Sequence, residues 1–437
     1  MKTLRKISLL NFGKTEKNQI EETVSPLAHV CNSSTPFFYR HLILTITLGS
    51  LSLISCGNKQ RSADVVNNTS DSLPVVELQA DYPHKDVDIH DLADVTYIPL
   101  ETTDESLIGT ASGFYFCNDT ILIEDATQGK VLLFDMKGKY LSSFRHIGNG
   151  SMEYTAMGDM CVDVGAHEIF ISDINRTRHI LVYDFTGKFI RELTIDQDLS
   201  VKMIFDYDRD HLLVFNIKDL YKVSSGTAVS GYPYYLVSKQ TGKATPVPLW
   251  VENRKSDTFV SSDGKGNFYA STMGGYPQLN NSHRGVIISD YALDTVYLYA
   301  KQTLEPLLVR HAENDHKGLL SSVFLSDDDF SLIGIAETYI KNNKVESSGE
   351  RLLYLDHKNG QVNEINLTNK DYPAYSKWFN YAVENYQYPT DVLAVIGYRA
   401  ELLFEQYHKG GLSGKLKEIV TGLSEEDNPV LMIAKRK

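Results

Sequence analysis

Residues Asp119–Phe144 read DTILIEDATQGKVLLFDMKGKYLSSF, and residues Glu168–Leu193 read EIFISDINRTRHILVYDFTGKFIREL. Superposed, Asp125 falls on Asp173, Phe134-Asp135 on Tyr183-Asp184, and Gly138-Lys139 on Gly187-Lys188. The offset is 48 at the first pair and 49 at the later ones, so one residue is inserted between. Each copy is an apolar run, a polar break, a second apolar run, an Asp-x-x-Gly hairpin and a third run. Short apolar runs separated by turn residues are the pattern of an antiparallel meander. A meander repeated at this period is a propeller blade.

Composition agrees with sheet. The chain has 437 residues with 26 Tyr, 18 Phe and only 13 Pro, and aromatic and β-branched residues favour strands. Length alone would suggest two or three domains; blades that close into one ring override that prior. The net charge of −13 excludes a basic nucleic-acid stripe, and no nucleic-acid partner is expected.

The N-terminus reads as an export signal. Leu42–Ile54 is an uncharged apolar run of 13 residues after Arg40 and His41, too short for a helix across a bilayer, which takes ~20 residues. It fits the apolar core of a signal peptide. The run closes Leu53-Ile54-Ser55-Cys56-Gly57, which resembles a bacterial lipobox. That resemblance implies cleavage before Cys56 and lipid on its thiol. Residues 1–55 are thus read as signal peptide with an N-terminal extension, the true start being expected downstream of Met1. Residues 56–83 are read as a polar tether, and residues 84–437 as the propeller. Residues 1–55 carry six basic and three acidic groups, so cleavage leaves a net charge of −16. An acidic chain is not drawn to anionic lipid, so membrane attachment rests on acyl chains. Of the remaining cysteines outside the leader, Cys117 and Cys161 enter the two clear repeats; they read as small buried hydrophobes, with a cross-blade disulfide open in an oxidising compartment.

Further along, the repeats degrade. Val95–Ile98 is one strand without a partner nearby. A third meander uses His211–Phe215, Tyr234–Ser238 and the Gln240–Lys243 hairpin, with an insertion at Asp219–Pro233. A fourth is read as beginning at Gly266–Ser271, followed by a loop from Met273 to Asn281 and two strands within Gly285–Leu298. A fifth uses Ser331–Glu337, Arg351–Asp356 and Gln361–Leu367. Leu393–Gly397 is a short apolar stretch. Tyr398–Leu423 has helical spacing, interrupted at Gly410-Gly411. Asn428-Pro429 is a turn and Val430–Ala434 a strand. An open propeller leaves an unpaired edge. Pairing the front strand with C-terminal strands removes it and brings the blade count to six. The expected fold is therefore all-β: a six-bladed β-propeller closed by its N- and C-terminal strands, with a short C-terminal helical segment.

The chain resembles the bacterial six-bladed β-propeller lipoproteins related to NHL-repeat proteins. The likeness lies in Tyr97-Ile98-Pro99-Leu100-Glu101, in Ile147-Gly148-Asn149-Gly150-Ser151-Met152-Glu153-Tyr154, in Ile180–Lys188 and in Asp427–Leu431. Ser151 stands where that family commonly has Pro. The resemblance implies an envelope-anchored propeller and assigns no activity.

The best candidate loop is Arg145–Tyr154, which leaves an outer strand and returns to the innermost strand of the next blade. Its ligand-binding candidates are Arg145, His146, Glu153 and Tyr154: a cation, an imidazole, a carboxylate and an amphipathic ring. The bland alternative is a blade joint, with the glycines making the turn, Glu153 binding amides and Tyr154 filling a gap. Asp135, Asp184 and Asp356 read as caps of their own turns. The acidic clusters Asp206–Asp210 and Asp327–Asp329 lack calcium-loop spacing, and His283, His311 and His316 lack partner motifs. No metal, cofactor or catalytic residue is expected. The sequence therefore reads as a lipid-anchored envelope binding or scaffold module for a glycan, peptide or envelope protein. The alternative is a propeller lyase or hydrolase with its site at the channel mouth.

Overall fold

The computed structural model describes residues 73–437 except 257, 263–267, 273–277, 313–318, 342–343 and 375–390. The signal segment, the lipobox and most of the tether lie outside these residues. Two strands come first, β1 (Val75–Glu77) and β2 (His84–Asp88), then a short helix α1 (Ile89–Leu92) and β3 (Ala93–Pro99). Blade 1 is β4 (Gly113–Cys117), β5 (Thr120–Asp125), β6 (Lys130–Asp135) and β7 (Tyr140–Phe144). Blade 2 is β8 (Met157–Asp163), β9 (Glu168–Asp173), β10 (His179–Asp184) and β11 (Phe189–Thr194). Blade 3 is β12 (Val201–Asp206), β13 (His211–Asn216), β14 (Tyr234–Ser238) and β15 (Ala244–Pro246), with a 3-10 helix at Leu220–Ser225 in its insertion. A separate hairpin follows, β16 (Thr258–Ser262) and β17 (Phe268–Thr272).

Blade 4 is β18 (Leu279–Ser282), β19 (Gly285–Ile288), β20 (Thr295–Ala300) and β21 (Thr303–His311), and blade 5 is β22 (Leu319–Ser326), β23 (Phe330–Lys341), β24 (Lys344–Asp356) and β25 (Val362–Thr368). The C-terminal part is β26 (Val392–Tyr398), helices α2 (Ala400–His408) and α3 (Gly414–Val420), and β27 (Val430–Arg436). The helical stretch breaks at Gly410, where φ is +70°, as its glycine pair suggested.

Ring closure follows the expected route. β3 pairs antiparallel with β27, Val95 opposite Ala434 and Ile98 opposite Leu431, and β27 pairs with β26 to make blade 6. The buried apolar residues divide into six clusters, each spanning one seam between neighbouring blades. The cause is strand alternation with both faces covered. In β5, Ile121 and Ile123 face blade 6 while Leu122 faces blade 2. That is why the strands read as unbroken apolar runs. Cys117 and Cys161 face different seams and are free thiols.

The repeat signature has a double role. The Asp135 carboxylate accepts from the amides of Lys137 (2.8 Å) and Lys139 (2.9 Å), and Asp184 does the same for Thr186 (2.8 Å) and Lys188 (3.0 Å). Each Asp therefore caps its own turn. Gly138 (φ +83°) also abuts the preceding blade: a Cβ there would lie 2.0 Å from the Pro99 carbonyl oxygen. Gly242 (φ +70°) meets the Thr194 carbonyl at 2.3 Å in the same way. The hairpin glycine is thus required by conformation and by the seam.

Two readings need correction. Of the stretch read as opening blade 4, Gly266-Asn267 lie outside the described residues and Phe268–Ser271 belongs to a strand that pairs, among the described residues, only with β16; the innermost strand is Leu279–Ser282, within and just beyond the stretch read as a loop. The segment LNNS has one apolar residue, so no apolar run advertised it. Its Asn280 is buried and donates to the Val323 carbonyl at 2.6 Å. In the stretch read as tether, β1 adds parallel to β21 and buries Val76 completely. β2 adds parallel to β25 in blade 5. The incoming chain therefore binds the outer edges of two blades before it completes blade 6.

Candidate functional site: the mouth of the central channel

The innermost strands end together. Asn118 follows β4, Val164 follows β8, Asp206 ends β12 and Ser282 ends β18. These residues line one cavity with Tyr115, Phe116, Val162, Asn281, Asp391, Val392, Ile433 and Lys435. Its volume is about 500 Å³, within the range of small-ligand sites. Blades 1, 2, 3, 4 and 6 each supply lining residues. Aromatic and aliphatic faces stand beside amides, a hydroxyl and charges. Lys435 pairs with Asp391 at 3.0 Å.

The strongest charge constellation lies at the seam of blades 2 and 3. The buried Lys239 ammonium contacts Asp163 Oδ2 at 2.5 Å and also Asp206. Burial alone would depress Lys239, but the two carboxylates outweigh it and raise its pKa. Burial likewise works against Asp163; its bond from Lys239 prevails and holds it low. For Asp206 burial wins, and its carboxyl is pushed up to about 6. A cavity-lining carboxyl is thereby poised to exchange a proton near neutrality.

Behind Tyr115 sits a second buried carboxyl. The Tyr115 hydroxyl donates to the Met160 carbonyl at 2.7 Å, and its oxygen is 3.1 Å from Glu124 Oε2. A hydroxyl has one proton and a carbonyl can only accept. Glu124 closes the second contact by donating, as a neutral acid. Burial and then the nearby Asp159 raise its pKa well above the usual range. Burial also lifts Asp159 to about 7, against the amide bond it accepts from Ile204 at 2.7 Å.

The Arg145–Tyr154 loop sits elsewhere. It enters β8 at Met157, whereas the cavity uses Val162 and Val164 at the far end of that strand, roughly 15 Å on at ~3.3 Å per residue. Tyr154 is fully buried; its hydroxyl donates to the Gly129 carbonyl at 2.7 Å and accepts from the His146 amide at 3.1 Å. Glu153 accepts from the Gly150 amide at 2.8 Å. His146 stacks on Tyr183, with centroids 5.0 Å apart, and its Nε2 lies 2.7 Å from the Gly187 carbonyl. Arg145 is exposed and donates to the Gln128 carbonyl at 2.7 Å. The four candidates share a loop, and two of them, His146 and Tyr154, tie blade 1 to blade 2.

His283, Asp327 and Asp328 also converge on the cavity side of the ring. Arg436 fills the space a cation would take: its Nη2 is 2.6 Å from Asp327 Oδ1 and 2.9 Å from His283 Nδ1. The cluster is an ion-pair knot between blades 4, 5 and 6.

A family model described as a domain of unknown function, DUF4934, matches residues 73–435. The chain belongs to the DUF4934 family. No curated protein matches it. Among solved structures, one described as a candidate exported protein of Bacteroides fragilis aligns at a TM-score of 0.57 and 16% identity, over 84% of this chain and all of that one. A DUF4221-family protein of Bacteroides vulgatus aligns at 0.48 and 10% identity, over 79% of this chain and 97% of that one. At 16% identity the likeness to the Bacteroides fragilis protein concerns the fold alone. Among the described residues of this DUF4934 chain, no helix is long and apolar enough to cross a membrane.

Sequence reasoning passed over the cavity residues of the DUF4934 chain. Asp206 opens an acidic run, and Asn281 ends a stretch that reads as a loop. The signal available was positional: Asn118, Val164, Asp206 and Ser282 each stand at the end of an innermost strand, just before its first turn.

Proposed function

We propose that this protein is an envelope binding module that takes a small polar ligand, a sugar or peptide end, into the cavity at the channel mouth. One observation carries the reading: five blades contribute to a single cavity whose lining alternates aromatic faces with amides, a hydroxyl and charges. Such mixed lining suits ligands with apolar faces and polar rims. The exported-protein description of the Bacteroides fragilis neighbour supports an envelope location. The finer reading is a lipoprotein of the NHL-like type, anchored through Cys56, with Arg145 and its loop available to a large partner such as an envelope protein. Cys56→Ala releases the protein from the membrane fraction if the anchor is real; unchanged retention refutes it. For the cavity, titration calorimetry of full-length protein against envelope glycan fragments and short peptides should give a saturable signal. Asn281→Ala should weaken it at least fivefold; no signal from either ligand class sinks the reading.

A second reading has one observation in its favour. Asp206, raised to about 6 beside Lys239, has the tuning of a general acid or base. A lyase or hydrolase would release new ends from those glycans, and Asp206→Asn would stop it.

A further inference from the structure

The opposite end of the ring carries a different feature. β12 ends at the cavity with Asp206, so β13 returns to the far end at Asn216. The insertion of blade 3 starts there. β14 and β15 run down and back, so Trp250 also emerges at the far end. Leu249 and Val251 are 8% and 0% exposed, but Trp250 between them is 52% exposed. An extended chain alternates its side chains, so the two buried neighbours hold the indole outward. Tyr232 braces it edge to face, with centroids 5.1 Å apart. The Gly231–Val251 bridge, 3.0 Å from amide to carbonyl, fixes the two residues side by side. Tyr221 repeats the arrangement: Leu220 is buried in the same cluster as Leu249 and Val251, while Tyr221 is 65% exposed. Lys222 lies over the Tyr221 ring and pairs with Asp219 at 2.6 Å. Glu252 and Asn253, which follow Trp250 in the chain, and Ser230, whose hydroxyl accepts from the Asn253 amide at 3.3 Å, are exposed and give this segment hydrogen-bonding groups.

We propose that Trp250, braced by Tyr232 and with Tyr221 as a second exposed ring over the same apolar cluster, is a stacking platform for a neutral polysaccharide, distinct from the channel-mouth site. A pyranose ring offers an apolar C–H face to an aromatic plane and hydroxyls to the polar rim. A rigid ring binds at low ordering cost. Polymer recognition also fits the location, because exposed rings accept a chain that continues past them. The net charge of −13 and the adjacent Glu252 select against acidic polymers. The polar surroundings of the indole disfavour a protein interface, whose centre would be depleted of charge.

The test is affinity electrophoresis of the full-length protein in detergent, through gels containing a neutral β-glucan, a neutral mannan or an alginate. Retardation by a neutral polymer and not by alginate is expected. Trp250→Ala should weaken it at least tenfold and Tyr221→Ala about threefold. Both variants should keep the wild-type melting temperature, since neither ring is buried. Asn281→Ala at the cavity should leave retardation unchanged, which separates this site from the one proposed above. No retardation of the wild type by either neutral polymer, or equal retardation of Trp250→Ala, overturns the proposal. Trp250-dependent self-association in sedimentation without retardation overturns it in favour of a protein contact.

Discussion

Asn428 offers the sharpest test of how the ring shuts. Its side chain is 2% exposed and lies where the C-terminal strand meets the connection from blade 6 to blade 1. Nδ2 donates to the carbonyls of Glu101 and Ser106, both at 2.9 Å, and Oδ1 accepts from the Ile108 amide at 3.0 Å. All three groups are backbone and need partners once buried. Asn428→Ala removes all three bonds and leaves the Ser106 carbonyl and the Ile108 amide unpaired, while the Glu101 carbonyl keeps its bond from the Ser106 hydroxyl at 2.7 Å. At about 1 kcal/mol per lost bond, with added desolvation, the expected loss is about 3–4 kcal/mol. Asn428→Asp keeps the shape but points a carboxylate at two carbonyl oxygens. It should cost at least as much as alanine at pH 8. That aspartate would have a folded pKa above its unfolded value of ~3.9. Its penalty is therefore small below that pH and grows as pH rises through the folded value. Urea denaturation followed by circular dichroism at pH 5 and pH 8 measures both arms. A pH 8 stability of Asn428→Asp within about 1 kcal/mol of wild type would refute the closure argument.

Further outcomes follow from the same structure. Asp173 accepts bonds from the Thr155 amide (2.9 Å) and hydroxyl (2.6 Å), the Asn175 amide (3.0 Å) and Arg176 Nε (2.8 Å). Burial opposes its ionisation, these bonds outweigh burial, and its pKa is lowered. Asp173→Ala should cost about 3 kcal/mol at neutral pH, and the wild type should lose that advantage as acid brings the pH below ~4; calorimetry at pH 7 and 3 checks this. Gly138→Ala, forced to φ +83° with a Cβ 2.0 Å from the Pro99 carbonyl, should give insoluble or strongly destabilised protein, scored by soluble yield. Asp206, raised to about 6, lowers stability as pH climbs from ~4 to ~6, by at most about 3 kcal/mol; Asp206→Asn should flatten that slope in pH-resolved melts. Ending the chain at Asp427 removes β27, the strand between β3 and β26, and should abolish cooperative unfolding.

The repeat was legible because its chemistry is local. Asp135, Gly138, Asp184 and Gly187 sit at fixed spacing, since each turn is capped by its own aspartate and needs a left-handed residue at one position. The helix break at Gly410 and the strand at Val430 were readable for the same reason. Blade 4 was misplaced because Asn280 and Asn281 form an inner strand without an apolar run. Val76 was not legible because its apolar run, Leu73–Val76, is too short to read as a strand, and a three-residue edge strand buries one side chain. The Arg145–Tyr154 loop was legible as a turn, but the partners of His146 in blade 2 and of Tyr154 in blade 1 were not.

From the order of residues alone came the blade, its turn, the number of blades and the pairing of the two ends. Those follow from backbone preference and from strands covered on both faces, which write themselves into neighbouring residues. The cavity, the Lys239 triad, the neutral Glu124 and the outward Trp250 were decided by tertiary structure. Their partners lie in other blades, and burial and proximity across a seam leave no periodic trace along the chain.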